Sequence, residues 1–187
     1  NVLVTAGKGA YRISKAWVTF SWWGGVRIGR LSIAPQAHPS QKMFVADEII
    51  LAPDYAGFFS SRDVRRAFAS VTFKRPRVLL PLQPIAGSSV AFESVVSNAL
   101  FAASLFEGRS IIVDNAGVYY PLPDGAGNKT VALLDNIDAV LEAASGEFCA
   151  TINTRVGPLR VNIAATVDAS LSSGDANVLV YDASGVL

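Results

Sequence analysis

A mostly β, antiparallel domain is the fold this sequence predicts, and three observations predict it. Apolar residues alternate with polar ones in several short runs, as in half-buried strands. Clusters of Gly, Pro, Asn, Asp and Ser separate those runs at turn spacing. Charged residues are only 17% of the chain, against a usual ~25%, while hydrophobic residues reach 51%. Such a balance suits a sandwich subunit that hides surface against copies of itself. At 187 residues the chain is expected to form a single domain, 1–187.

The clearest element runs from Ala16 to Pro35, AWVTFSWWGGVRIGRLSIAP. Val26, Ile28, Leu31 and Ile33 alternate with polar positions, and Arg27 and Arg30 lie between them. Gly24 and Gly25 mark a bend or a close backbone approach. Trp17, Phe20, Trp22 and Trp23 are expected to bury a large aromatic area beside it. Trp22, Trp23, Gly24 and Gly25 are therefore the expected structural centre.

The other elements follow in chain order. Val2-Leu3-Val4 is a short strand before a Gly7-Lys8-Gly9 turn, and residues 35–41 (PQAHPSQ) form a loop. Residues 43–52 (MFVADEIILA) read as a strand closed by Pro53 and Asp54. Ser60 or Ser61 can cap a short helix over residues 62–69. Residues 71–83 alternate again, with Pro76 and Pro81 pointing to a sheet edge or an interrupted strand. Phe92, Val96, Ala99, Leu100, Ala103 and Phe106 have helical spacing, with Gly108 as a stop.

Residues 110–114 (SIIVD) are strand-like, and residues 122–128 (LPDGAGN) are a loop. Thr130 can cap a helix over residues 131–145, with Leu133, Leu134, Ile137, Val140, Leu141 and Ala144 on one face and Gly146 ending it. Residues 148–153, 159–167 and 178–181 are the closing strands. Gly157-Pro158 and Ser172-Ser173-Gly174-Asp175 separate them. No internal repeat or linker stands out.

Several function classes find little support. The single cysteine, Cys149, provides no internal disulfide and no metal spacing, and His38 is the only histidine. No cofactor or metal is expected. No apolar run reaches the ~18 residues that span a bilayer, and Val2–Ala6 is too short for a signal-peptide core.

Three fragments resemble short-chain dehydrogenases. They are VLVTAGKG (residues 2–9), SIIVDNAGVY (110–119), and Tyr11 with Lys15 at Tyr-x-x-x-Lys spacing. An NAD(P)-dependent oxidoreductase is thus one alternative. Their order is wrong for that family, and the glycine turn is not followed by the helix whose N-terminal amides would hold a pyrophosphate. Residues 125–130 (GAGNKT) lack the Gly-Lys-Thr of a phosphate loop. Asn128-Lys129-Thr130 is a formal glycosylation acceptor of the kind that arises by chance. Asp135 and Asp138 read as a solvated helix face.

The basic run is more informative. Arg62, Arg65, Arg66, Lys74, Arg75 and Arg77 fall within sixteen residues, opposed only by Asp63. They are candidate contacts to RNA phosphates or to a neighbouring subunit. Residues 1–93 carry +7 and residues 94–187 carry −6, so the chain is polarised.

FSWWGGVRIGRL, KMFVADEIILAP, SSRDVRRAFAS and VLLPLQPI occur in that order, and PLRVNIAATVDA and NVLVYDA close the chain. The succession resembles the jelly-roll coat proteins of picorna-like RNA viruses, in particular the small coat protein of plant viruses in that group. The resemblance implies an antiparallel jelly-roll β-sandwich with one or two short helices. It also implies a non-enzymatic capsid subunit that assembles into an icosahedral shell around an RNA genome. Its partners would be other capsid subunits, alike and unlike, and the genomic RNA. Its place would be the virion, and the host cytoplasm during assembly. A β-sandwich carbohydrate-binding module, with exposed aromatics as ligand platforms, is a third reading.

Overall fold

The structure, a computed structural model, describes residues 2–6, 9–36, 39–40, 42–61, 67–79, 109–124, 127–144, 147–168 and 174–182. Strands β1 (Val2–Ala6), β2 (Gly9–Ser14), β3 (Trp17–Ser21), β4 (Gly25–Pro35) and β5 (Phe44–Pro53) come first. Helix α1 (Tyr55–Ser61) follows, then β6 (Phe68–Lys74) and β7 (Arg77–Leu79). Five further strands follow among the described residues: β8 (Ser110–Asp124), β9 (Gly127–Ala144), β10 (Glu147–Val156), β11 (Leu159–Asp168) and β12 (Gly174–Asp182).

The twelve strands of the described residues join one sheet, ten of them in the order β1-β2-β4-β5-β6-β8-β9-β10-β11-β12, with β3 beside β4 and β7 beside β5 and β8. β2 and β3 share one edge of β4, and β6 and β7 share one edge of β5. Each of these pairs is thus one strand interrupted midway. Pairing is antiparallel except where β8 runs parallel to β6 and β7. The mostly β, antiparallel expectation therefore holds, and consecutive strands are neighbours almost throughout.

Three sequence expectations need correction. The helix expected over residues 131–145 is the middle of β9, paired with β8 on one side and β10 on the other. The loop expected at residues 122–128 is the tip of the β8–β9 hairpin, with Pro121 opposite Thr130 and Pro123 opposite Asn128. Two prolines two residues apart lack their N–H on the same edge of the strand. Beyond Tyr119 only β9 pairs with β8 among the described residues, so the ladder tolerates them.

The helix expected over residues 62–69 lies mostly outside the described residues; its last two positions, Phe68 and Ala69, open β6, and the described helix is α1 over Tyr55–Ser61. Asp54 caps it, accepting the Gly57 N–H at 2.8 Å. The helical reading of residues 88–106 lies outside the described residues, as do His38, Arg62, Arg65 and Arg66.

The core sits on β4, β5 and β6. Ala46, Ile49 and Val71 are buried, and Ile28, Leu31, Phe44, Leu51 and Phe73 pack around them. Ala46 and Ile49 are three apart, so strict alternation would send them to opposite faces. The polar doublet Asp47-Glu48 between them absorbs the odd residue. The same device recurs in register on the neighbouring strands, as Gly29-Arg30 on β4, Lys74-Arg75 at the end of β6, and Asp114-Asn115 on β8. Asp135-Asn136 repeats it on β9, where the ladder to β10 slips between Asn153 and Arg155.

Four of these positions have left-handed backbone: Arg30 (φ 51°), Arg75 (φ 47°), Asn115 (φ 53°) and Asn136 (φ 49°). On β8 and β9 the register slips at these doublets, so there they are β-bulges, which bend a sheet locally. On β4, β5 and β6 the register runs past them unbroken, and apolar residues on both sides of the row pack into one core. On one side of the row, the register aligns Ile28, Ile49, Phe73, Val113, Ala139, Ile152, Ile163 and Val178 from β4 to β12.

Asn tolerates a left-handed φ because its short amide bonds locally, whereas a β-branched side chain does not. Asn115→Gly is accordingly expected to leave stability within about 0.5 kcal/mol. Asn115→Ile should cost about 1–2 kcal/mol. Urea midpoints of the two variants check this, and equal midpoints would show that the left-handed turn does not matter.

Candidate assembly surface

The sequence-predicted basic run divides. Of its members within the described residues, Lys74 ends β6, Arg75 occupies the interruption, and Arg77 opens β7. Arg75 Nε lies 2.9 Å from Asp47 Oδ2, with both side chains largely exposed. Lys74 is in register with Glu48 on one side and Asp114 on the other. Arg27 Nη1 reaches Glu48 Oε1 at 3.5 Å. The doublet row thus alternates in charge from strand to strand: basic on β4, acidic on β5, basic on β6, acidic on β8. Opposite charges on adjacent strands attract, each exposed pair contributing up to about 1 kcal/mol.

Asp138, which the sequence placed on a helix face, accepts the backbone N–H of Asn115 at 2.8 Å. It pins the β8 bulge to β9. Farther along, the Asn162 side-chain amide donates to Asn153 Oδ1. This face of the sheet is polar and internally paired. The sequence carried the signal as a doublet of polar residues recurring between apolar ones, in VADEII, TFKRPR, IVDNAG and LLDNID.

The expected structural centre also divides. Residues 22–24 form the turn joining β3 to β4, closed by the Gly24 N–H donating to Ser21 Oγ at 2.8 Å. Gly25 is buried with φ 70°, and a Cβ there would collide with the Leu51 carbonyl oxygen and meet Pro53 Cδ at 2.9 Å. Only glycine fits this position.

The tryptophans do the opposite of what was expected. Trp22 is 65% exposed and Trp23 94% exposed. Trp22 is fixed from one side only, by Phe20 at 5.9 Å and Tyr55 at 5.5 Å between ring centroids, and by the Tyr55 hydroxyl donating to its carbonyl. Among the described residues no second layer covers this hairpin tip, and the aromatic area stays on the surface.

Tyr11 and Lys15 fall on and just after β2. Four residues of extended chain span about 13 Å. The helical turn that brings such a pair together in a reductase is not what the chain forms at that point. Nor does a helix follow the Gly7-Lys8-Gly9 segment, because β2 begins at Gly9. Among the described residues, no group of three or more His, Cys, Asp or Glu is placed to hold a metal ion, and no helix is long and apolar enough to cross a membrane.

A second exposed apolar surface lies at the other end of the sheet. Val156 and Leu159 flank the β10–β11 turn, and Val178, Leu179, Val180 and Tyr181 are exposed in succession on β12. The chain matches no protein-family model and no curated protein.

Proposed function

We propose that this chain is a structural subunit that assembles with copies of itself, of the coat-protein type that its sequence resembles. One observation carries the reading. An apolar face continues across the sheet from β4 to β12, yet the buried hydrophobic residues among those described are only Ala34, Ala46, Ile49, Val71 and Ala139. None of them lies on β10, β11 or β12. Apolar area left in water is worth about 25 cal/mol per Å² to whatever covers it. Contiguous patches of this kind mark interaction surfaces.

The order of motifs that resembles picorna-like coat proteins supports an icosahedral shell around RNA as the product of assembly. In that reading copies of the chain cover the apolar face, one sheet packing on another as a sandwich. The interleaved strand order of a jelly roll goes beyond the meander of the described ladders, and the sequence resemblance alone carries it.

The basic residues on β6 and β7 fit a structural or subunit contact better than a genome contact, because Asp47, Glu48 and Asp114 already stand beside Lys74 and Arg75. Losing three phosphate contacts lowers the salt slope of single-strand binding by about 2 units. The triple variant Lys74→Ala, Arg75→Ala, Arg77→Ala is expected to change it by less than about 1 unit while weakening assembly. Nucleic-acid titration at several salt concentrations reads this directly, and a drop of two units would reassign the run to the genome.

Electron microscopy of the purified protein tests the proposal itself. Closed particles of uniform size, with the absorbance ratio of bound nucleic acid, are the expected result. A nicotinamide-dependent turnover, or a glycan ligand bound by a dispersed monomer, would replace the proposal.

A further inference from the structure

β12 is the last strand of the sheet among the described residues, and β11 is its one ladder partner there. Its side chains from Gly174 to Tyr181 are exposed, those on the apolar face and those on the opposite face alike. Between Ala176 and Tyr181 it carries no charge and no proline, the two devices that most often blunt an edge. Leu179 is 65% exposed. A strand of this kind leaves a row of backbone N–H and C=O groups ready to pair with another strand.

We propose that the occupant is β12 of a second copy, paired antiparallel about a two-fold axis at Val178. This rests on the assembly reading above only in taking a copy of the chain as the partner. The register follows from the sequence. With Val178 opposite Val178 of the copy, all nine residues overlap, Gly174 facing Asp182, Asp175 facing Tyr181, Ala176 facing Val180, and Asn177 facing Leu179. No two acids are opposed, and a carboxylate meets a phenol.

Residues of equal parity then share a face, so the apolar row that ends at Ala176 and Val178 runs on into the copy. A slip of one residue in either direction turns the apolar face of one sheet onto the polar face of the other, and in one direction it also sets Asp175 against Asp182. Slips of two residues pair only seven of the nine described positions. Charge, overlap and face therefore select the same register, and an interface in which one surface meets itself closes as a dimer.

Cysteine scanning in the full chain tests this, in a Cys149→Ser background because Cys149 is exposed. Under mild oxidation, Val178→Cys is expected to form disulfide-linked dimers at least ten-fold faster than Asn177→Cys or Leu179→Cys alone. An equimolar mixture of Asn177→Cys and Leu179→Cys should give the mixed dimer. Val178→Lys sets two ammonium groups against each other and should weaken self-association at least ten-fold in sedimentation equilibrium, with an unchanged urea midpoint.

Equal cross-linking at 177, 178 and 179, or unaltered self-association of Val178→Lys, would overturn the pairing. Particles that form without this cross-link would remove the inference and leave the assembly reading standing. Cross-linked dimers that build nothing larger would support the inference and remove the shell.

Discussion

Gly25→Val is expected to prevent the β3–β4 hairpin from forming and with it most soluble protein. The position needs a left-handed φ of 70°, which costs an L-residue about 1–2 kcal/mol, and more with β-branching. The new side chain also points into the Leu51 carbonyl and the Pro53 ring. Overpacking of that kind adds about 1–3 kcal/mol. Together these reach the lower end of the about 5–15 kcal/mol that a whole domain holds. Trp23→Ala is the contrasting case. At 94% exposure it should leave the urea midpoint within about 0.5 kcal/mol and act only on self-association. A folded, soluble Gly25→Val protein with a wild-type midpoint would show that the turn does not constrain the sheet.

Ile49→Ala should be the most damaging core truncation. Ile49 is 7% exposed and lies in register between Ile28 and Phe73, at the middle of the cluster that joins β4, β5 and β6. Removing its branched side chain costs about 2–5 kcal/mol through lost burial and the cavity left behind. Ile49→Val should cost about 0.5–1.5 kcal/mol. Chemical denaturation with unchanged slope checks both values. A cost for Ile49→Ala no greater than that of Val178→Ala on the exposed β12 would show that the core does not centre on β5.

Much of the sheet was legible because strands β4, β5, β10, β11 and β12 keep period two over most of their length. β9 was not legible, for a physical reason. The bulge at Asn136 inserts one residue, so Leu134 and Ile137 fall three apart and Ile137 and Leu141 four apart, which is helical spacing. Several alanines, good helix formers, completed the imitation. The row of polar doublets was present in the sequence in the same sense. Each doublet looked like a local interruption, and only strand register shows them side by side. The tryptophans were misjudged because aromatic area alone does not say whether a second layer is there to cover it.

Arg75 shows why the candidate basic run was only half readable. Sequence proximity to Arg77 and Lys74 made it one of a cluster of cations. The ladder sets it beside Asp47, twenty-eight positions earlier, and that pairing depends on β5 and β6 meeting across helix α1 rather than on any local signal. Charge density along a chain overstates charge density in space whenever neighbouring strands alternate in sign.

Sedimentation velocity of the full chain over a wide concentration range tests the central claim most directly, because it asks whether the uncovered apolar face recruits copies of the chain. The expected result is a concentration-dependent shift from a small species to a defined large one, reversed by moderate urea before the fold is lost. A single species with the mass of one chain at every concentration would contradict the account.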